Sequence, residues 1–250
     1  MNRLFAILIT FGSFFSLHAE EKVEAKKHKV GLCIMATGRY DVYAQSLVES
    51  ARPHFCTQSE VTYFVFTDGN ISPANDVVKI YQKRLGWPHD TLKRFKVYDT
   101  HRALLGEMDY LFALDADMRF VGSVGEEILS DRVATQHPGF IGSRGTYETN
   151  PISTAYVGPK EGEIYFAGGF YGGSSEEFFK FIHHANEQIE KDEAKQFIAI
   201  WHDESHLNRY FIDHPPTRIL SPAYCYPENW RLPYPKKLLA LDKNHAELRK

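Results

Sequence analysis

Cysteine is scarce in this chain. Cys33, Cys56 and Cys225 are its only three in 250 residues. They show no C-x-x-C spacing and are too few for a disulfide framework. Cys33 sits in an apolar run and reads as packing; one bridge between two of the three stays open. There is no basic excess either. The formal net charge is −3, so no overall field points to nucleic acid as a partner. Any anion site must come from local placement of Lys and Arg. The N-terminal apolar run, Leu4 to Leu17, is shorter than the ~20 residues of a spanning helix and is interrupted by Gly12 and Ser13. Missing too are the H-E-x-x-H and P-C-x-x-C orders of zinc enzymes, any internal repeat and any low-complexity tract. His202 and His206 stand four apart, but in the order H-x-E-x-H, which does not argue for zinc.

What remains has the bulk of an ordinary soluble protein, with 43% hydrophobic and 24% charged residues, enough for a sizeable core. The length suits one domain. Aromatics at 14% fit a core and equally fit platforms for sugars and bases. At the N-terminus Arg3 precedes the apolar run, which stops at "LHA" before charged residues. That is the layout of a signal peptide, residues 1–19, cleaved after Ala19 or kept as a short anchor. Residues 20–29 then form a polar linker and 30–250 the globular domain. The expectation is an exported or membrane-associated protein, with membrane association through residues 4–17 left open, as is the oligomeric state.

Along the chain, "VGLCIMA" (30–36), "VTYFVFT" (61–67) and "DYLFALD" (109–115) are dense apolar runs of the kind that become buried central strands. Leu47, Val48 and Ala51 mark a helical stripe stopped by Pro53. Ser174 followed by Glu177 is a capping-box signature ahead of a long amphipathic stretch. Leu207, Tyr210 and Phe211 recur at helical spacing, with Asp203 as a candidate N-cap. Strands alternating with helices predict an α/β domain with a mostly parallel sheet. Ligands of such sheets collect at the carboxyl ends of strands, where "TGRY", "TDGN" and "DAD" fall.

Four segments carry candidate chemistry. Asp115 and Asp117 are separated by one alanine at a strand end; alternate strand residues point the same way, so both carboxylates can face one hard divalent cation that is also bound to phosphates. A turn in which they accept local N–H bonds is the plainer reading. In "WHDESHLN" (201–208), Glu204 is a candidate working carboxylate, against a simple capped helix start. The glycine pairs of "AGGFYGGS" (167–174) match no nucleotide-binding fingerprint. They read as turns or as clearance for a ligand lying on backbone. The basic tail "KNHAELRK" (243–250) is either a solvated end or a flap over a diphosphate.

Taken in order, "GRY" (38–40), "DYLFALDADM" (109–118), "HPGF" (137–140), "YFAGGFYGGS" (165–174), "WHDESHLNRYF" (201–211), "ILSPAYC" (219–225) and "KNHAELR" (243–249) resemble the family 6 retaining glycosyltransferases, among them the blood-group transferases. The resemblance runs from about Val30 to Arg249. It implies the GT-A fold, a Rossmann-like mixed, mostly parallel sheet flanked by helices. It implies a UDP-sugar donor, UDP-GalNAc or UDP-Gal, with Mn²⁺ (or Mg²⁺) held by Asp115 and Asp117. By the same resemblance the donor site takes in Met35, Thr37, Tyr40, Arg94, Ala116, His202 and Asp203, and Lys243 and Arg249 close over the phosphates. Glu204 falls under the anomeric carbon, as nucleophile or as stabiliser of an ion pair. Trp201, His137 and Glu204 face the acceptor glycan, and His137 tilts it toward a fucosylated galactoside. Ala167, Gly168 and Gly169 form the triplet that sets the donor. Glycine at its end matches the A-type enzymes and favours UDP-GalNAc, although Ala167 replaces a larger residue. A sugar-binding relic without catalysis is the main alternative, and a glycoside hydrolase working through two carboxylates is a third.

Overall fold

The computed structural model of the protein describes residues 27–248. The expected signal segment and Arg249 lie outside the described residues. The strands are β1 (Lys29–Met35), β2 (Glu60–Thr67), β3 (Val77–Tyr81), β4 (Tyr110–Asp115), β5 (Met118–Phe120), β6 (Arg132–Gln136), β7 (Phe166–Ser174), β8 (Arg218–Leu220), β9 (Tyr226–Pro227) and β10 (Leu238–Ala240). The helices are α1 (Asp41–Ala51), α2 (His89–Leu92), α3 (Arg94–Thr100), α4 (Arg102–Leu105), α5 (Ser175–Ala194), α6 (His202–Asp213) and α7 (His245–Leu248). β1 starts at Lys29, inside the stretch expected as linker, because its amide donates to Asp109 and it pairs with Glu60. No helix among the described residues is long and apolar enough to cross a membrane.

The main sheet has seven strands in the order β3-β2-β1-β4-β7-β6-β8. β1 to β4 pair in parallel, and β7 alone runs antiparallel, between β4 and β6. Alternation within the apolar runs explains why both faces are covered. Leu32, Ile34, Val65, Phe112 and Leu114 face α1 and join one core cluster; Cys33, Phe64, Phe66, Leu111 and Ala113 face α3, α5 and α6 and join the other. Cys33, Cys56 and Cys225 are buried free thiols, so the bridge left open above does not form.

Three local expectations change. The double-glycine segment is neither turn nor loop but strand β7. A Cβ on Gly172 would stand 2.3 Å from the Leu111 carbonyl, so glycine lets β4 and β7 lie close. Ser174 does occupy the N-cap of α5, but its side chain makes no capping bond. Glu177 is drawn instead to Arg132 and Lys180, each at 2.7 Å, where charge-assisted bonds outcompete a neutral cap. Asp203 is inside the first turn of α6, whose N-cap is Trp201.

A second sheet, β5-β10-β9, pairs β5 antiparallel with β10. It matters because it brings the end of the chain back beside the β4–β5 turn: Leu241 N–H donates to Asp117 O at 3.0 Å. Phe112, fully buried between Phe55 and Phe170, anchors the strand that ends in Asp115. Phe112→Ala is expected to cost ~3–5 kcal/mol of unfolding free energy. Urea melts of both proteins measure it, and a loss under ~1 kcal/mol would show that the site strand does not depend on this packing.

Candidate active site

The carboxyl ends of β1 and β4, the start of β7 and the first turn of α6 enclose a cavity of about 270 Å³. Asp115, Asp117, Asp203 and Glu204 all line it, together with Arg94 and Lys243. Arg94, at the start of α3, is buried between two of these acids. Its Nη1 donates to Asp115 Oδ1 at 2.7 Å and its Nε lies 3.1 Å from Asp203 Oδ2. Burial pushes the Asp203 carboxyl up to about 6, and Arg94 pulls it back only in part. Arg94 itself stays charged, since the two acids outweigh its own burial.

Asp115 ends β4, whereas Ala116 and Asp117 form the turn to β5. The two aspartates are therefore not alternate residues of one strand, and the turn does the work of aiming both at the cavity. Asp117 is buried, and its Oδ2 meets the Lys243 ammonium. Lys243 also stands 5.7 Å from the Tyr40 ring centroid. Among the described residues no group of three or more His, Cys, Asp or Glu side chains forms a cage for a metal. Two carboxylates are what a hard cation needs when phosphates supply its other ligands. Asp115 and Asp117 supply two such hard oxygen donors to one cavity, so the residue types fit a divalent ion once Lys243 gives up Asp117.

Glu204 is held from two sides. Gly168 N–H donates to Oε2 and Tyr165 O–H to Oε1, both at 2.8 Å. Burial raises its carboxyl to about 7, with Asp203 and Asp115 adding to the rise and the two donors opposing it. Its helix begins with His202 in left-handed backbone, φ 51°, uncommon for a residue with a side chain and typical of functional turns. His202 packs edge-on to Trp87 at 4.6 Å between ring centroids.

The sequence pattern of Glycosyltransferase family 6 matches residues 1–250. Histo-blood group ABO system transferase 1 of Rattus norvegicus is 35% identical over 98% of this chain and 75% of its own length. The chain belongs to glycosyltransferase family 6. Globoside alpha-1,3-N-acetylgalactosaminyltransferase 1 of Homo sapiens is 34% identical over 88% of the chain and 68% of its own length. Alpha-1,3-galactosyltransferase 2 of Homo sapiens is 30% identical over 88% and 69%.

In this family 6 glycosyltransferase the cavity gathers most of the residues singled out in the sequence: Met35, Thr37, Tyr40, Arg94, Asp115, Ala116, Asp117, Gly168, Trp201, His202, Asp203, Glu204 and Lys243. Ala167, Gly169 and His137 are not among its lining. Ala167 belongs to the core beneath β7. A Cβ on Gly169 would meet Cys225 Sγ at 3.1 Å and Asp115 Oδ2 at 3.7 Å, so the space beside it belongs to those side chains. His137 sits one layer out, its ring 5.7 Å from that of Tyr165. Burial lowers it to about 4, and its Nδ1 accepts from Gly139 N–H at 3.0 Å, so the neutral ring carries its proton on Nε2.

The cavity also uses residues that sequence reading passed over: Arg84, Trp87, Asp90, Thr91 and Leu248. "RLGWPHDT" (84–91) has no apolar period and no motif. The available signal was only a tryptophan and an aspartate in a loop upstream of Arg94. Asp90 is fixed by Leu85 N–H at 2.7 Å and by Thr37 Oγ1 at 3.1 Å.

Removing Arg94 leaves Asp115 and Asp203 without their cation. Arg94→Met is expected to lower stability by ~3–5 kcal/mol at pH 8, the usual cost of breaking a buried ion pair from one side. Without Arg94 the Asp203 carboxyl rises above its present value of about 6. Below that value it takes up a proton and the repulsion falls, so the deficit shrinks at pH 5. Chemical denaturation at the two pH values is the check; a deficit that grew on acidification would contradict this reading.

Proposed function

We propose that this protein transfers N-acetylgalactosamine from UDP-GalNAc, in α-1,3 linkage and with retention at the anomeric carbon, to a galactoside acceptor that carries fucose. The observation that carries the reading is Glu204. A buried carboxylate, oriented by two hydrogen bonds, lies at the wall of a cavity that also holds Asp115 and Asp117. Such a group faces a developing positive charge in its ionised form, which for a carboxyl raised to about 7 prevails above that pH. The relatives named for α-1,3-N-acetylgalactosaminyl transfer support the choice of sugar.

Asp115 and Asp117 would hold a divalent cation, which when bound supplies Lewis-acid screening of the charge on the leaving diphosphate. Met35 at the end of β1, with Thr37 and Tyr40 in the turn that follows, would take the base and ribose of the nucleotide. Lys243 stands where an ammonium can exchange Asp117 for a phosphate. Arg249 and the export signal belong to the same reading but lie outside the described residues. The neutral His137, with its Nε2 proton, offers a donor to an acceptor hydroxyl.

UDP release is measured from UDP-GalNAc and from UDP-Gal, each with and without Mn²⁺, with 2′-fucosyllactose as acceptor and lactose as control. Release that needs Mn²⁺ and the N-acetylated donor, and rises with the fucosylated acceptor, is the expected result. Faster release from UDP-Gal would instead make the protein a galactosyltransferase. Glu204→Gln should keep UDP binding by calorimetry while transfer falls by orders of magnitude; near-normal turnover would remove Glu204 from its role. Gly169→Ala should press on Cys225 and Asp115 and move donor preference toward UDP-Gal by ~1–3 kcal/mol, the scale of one methyl group in a pocket. Equal kcat/KM ratios in the two proteins would place donor choice elsewhere.

A further inference from the structure

The first turn of α6 begins under constraint. His202 is held in left-handed backbone, φ 51°, and a residue with a side chain stays there only where its surroundings over-determine it. Part of that constraint is local: His202 N–H donates to Ala199 O at 2.9 Å and Trp201 N–H to Ser205 Oγ at 3.0 Å. The rest comes from residues 146–148, in the irregular segment between β6 and β7. Thr146 Oγ1 accepts from the Trp201 indole Nε1–H at 2.8 Å, and Glu148 Oε2 accepts from Ile200 N–H at 2.8 Å. The two bonds take hold of adjacent residues, one by its side chain and one by its backbone. Both lie directly ahead of His202, Asp203 and Glu204.

Glu148 is 5% exposed, and its other oxygen, Oε1, accepts from Asn150 N–H at 2.7 Å. Its side chain therefore ties its own segment to the lead-in of α6 through two backbone donors. Carboxylate oxygens only accept, whereas an amide side chain would turn its own NH₂ toward one of those donors. A buried N–H left without an acceptor is costly, so glutamine at 148 has to release either Asn150 or Ile200. Tyr147, between the two clamping residues, packs edge-on to the Tyr165 ring at 4.9 Å between centroids. Tyr165 O–H in turn donates to Glu204 Oε1 at 2.8 Å. Three consecutive residues thus meet three parts of the frame around Glu204.

We propose that Thr146 and Glu148 are positioning residues. They form a two-point clamp that sets the Trp201 indole at the acceptor side of the cavity and fixes the His202 turn that carries Glu204. This rests on Glu204 being the group that faces the reacting carbon and on Trp201 being an acceptor contact. Neither Thr146 nor Glu148 is among the residues that line the cavity, so the clamp acts through residues 200–204 and not on the sugars themselves.

The test compares Glu148→Gln and Thr146→Val with Asp192→Asn, all as full-length protein with Mn²⁺ and at a temperature where each is folded. Asp192 is the control. It too is buried, and it accepts from Thr154 N–H at 2.8 Å and from Ser153 Oγ, so it ties the same segment to α5 instead of to the start of α6. Both carboxyl variants should lower the melting temperature. Only Glu148→Gln should also lower kcat, by about 10²-fold, the scale of a reacting group displaced by about 1 Å. Its calorimetric UDP affinity should stay within about twofold, far less than that rate effect. Thr146→Val should raise acceptor KM by about two- to tenfold, the worth of one hydrogen bond, with the melting temperature unchanged. Equal kcat losses in Glu148→Gln and Asp192→Asn would reduce Glu148 to a structural role and overturn the proposal. So would wild-type kcat in Glu148→Gln while Glu204→Gln is inactive. Wild-type kcat in Glu204→Gln would overturn the underlying assignment instead. If Glu148→Gln loses UDP affinity through misfolding, Thr146→Val decides: the raised acceptor KM upholds the clamp, and an unchanged KM refutes it.

Discussion

Everything at the cavity depends on one buried arginine. Four carboxylates, Asp115, Asp117, Asp203 and Glu204, converge there, and in a low-dielectric setting like charges repel one another and loosen the fold around them. Arg94 spans Asp115 and Asp203, while Lys243 meets Asp117. Arg94 belongs to α3, Asp115 to β4 and Asp203 to α6, so one guanidinium ties three elements together where they would otherwise repel. Lys, with a compact ammonium, could not reach both acids with a planar fork.

That arrangement separates the roles of neighbouring acids. Asp203 and Glu204 are adjacent in the chain and both buried, yet Asp203 turns to the arginine and Glu204 to two neutral donors, Gly168 N–H and Tyr165 O–H. The antiparallel insertion of β7 between β4 and β6 makes this workable. It sets Gly168 beside Glu204, with a Cβ at that position 3.4 Å from the carboxylate, so glycine keeps the backbone donor within reach.

Much of the fold was legible in the sequence. Three apolar runs became three adjacent parallel strands because burial on both faces leaves no polar alternation to confuse the reading. The stripes of α1 and α6 emerged for the same reason: their spacing is local. What went unread was set by competition between partners distant in sequence. Ser174 lost its capping bond because Glu177 found Arg132 and Lys180. The second glycine pair looked like turn chemistry, but Gly172 answers to the Leu111 carbonyl across the sheet. The 84–91 loop, without period or motif, gained its meaning only when Trp87 met His202 and Asp90 met Thr37.

By itself the sequence determined the family and the parallel core, and it singled out Asp115, Asp117 and Glu204, which line one cavity, because these follow from local patterns and ordered motifs. Only the tertiary structure decided how those groups are held. Lys243 reaches Asp117 because the small β5-β10-β9 sheet folds the end of the chain back. Asp115 and Asp117 share a cavity through a turn and not through strand alternation. Tyr165 comes to Glu204 where Gly145 lets one backbone lie against its aromatic ring. Each of these is a long-range contact whose energy depends on burial and distance, and neither quantity is written in the order of residues.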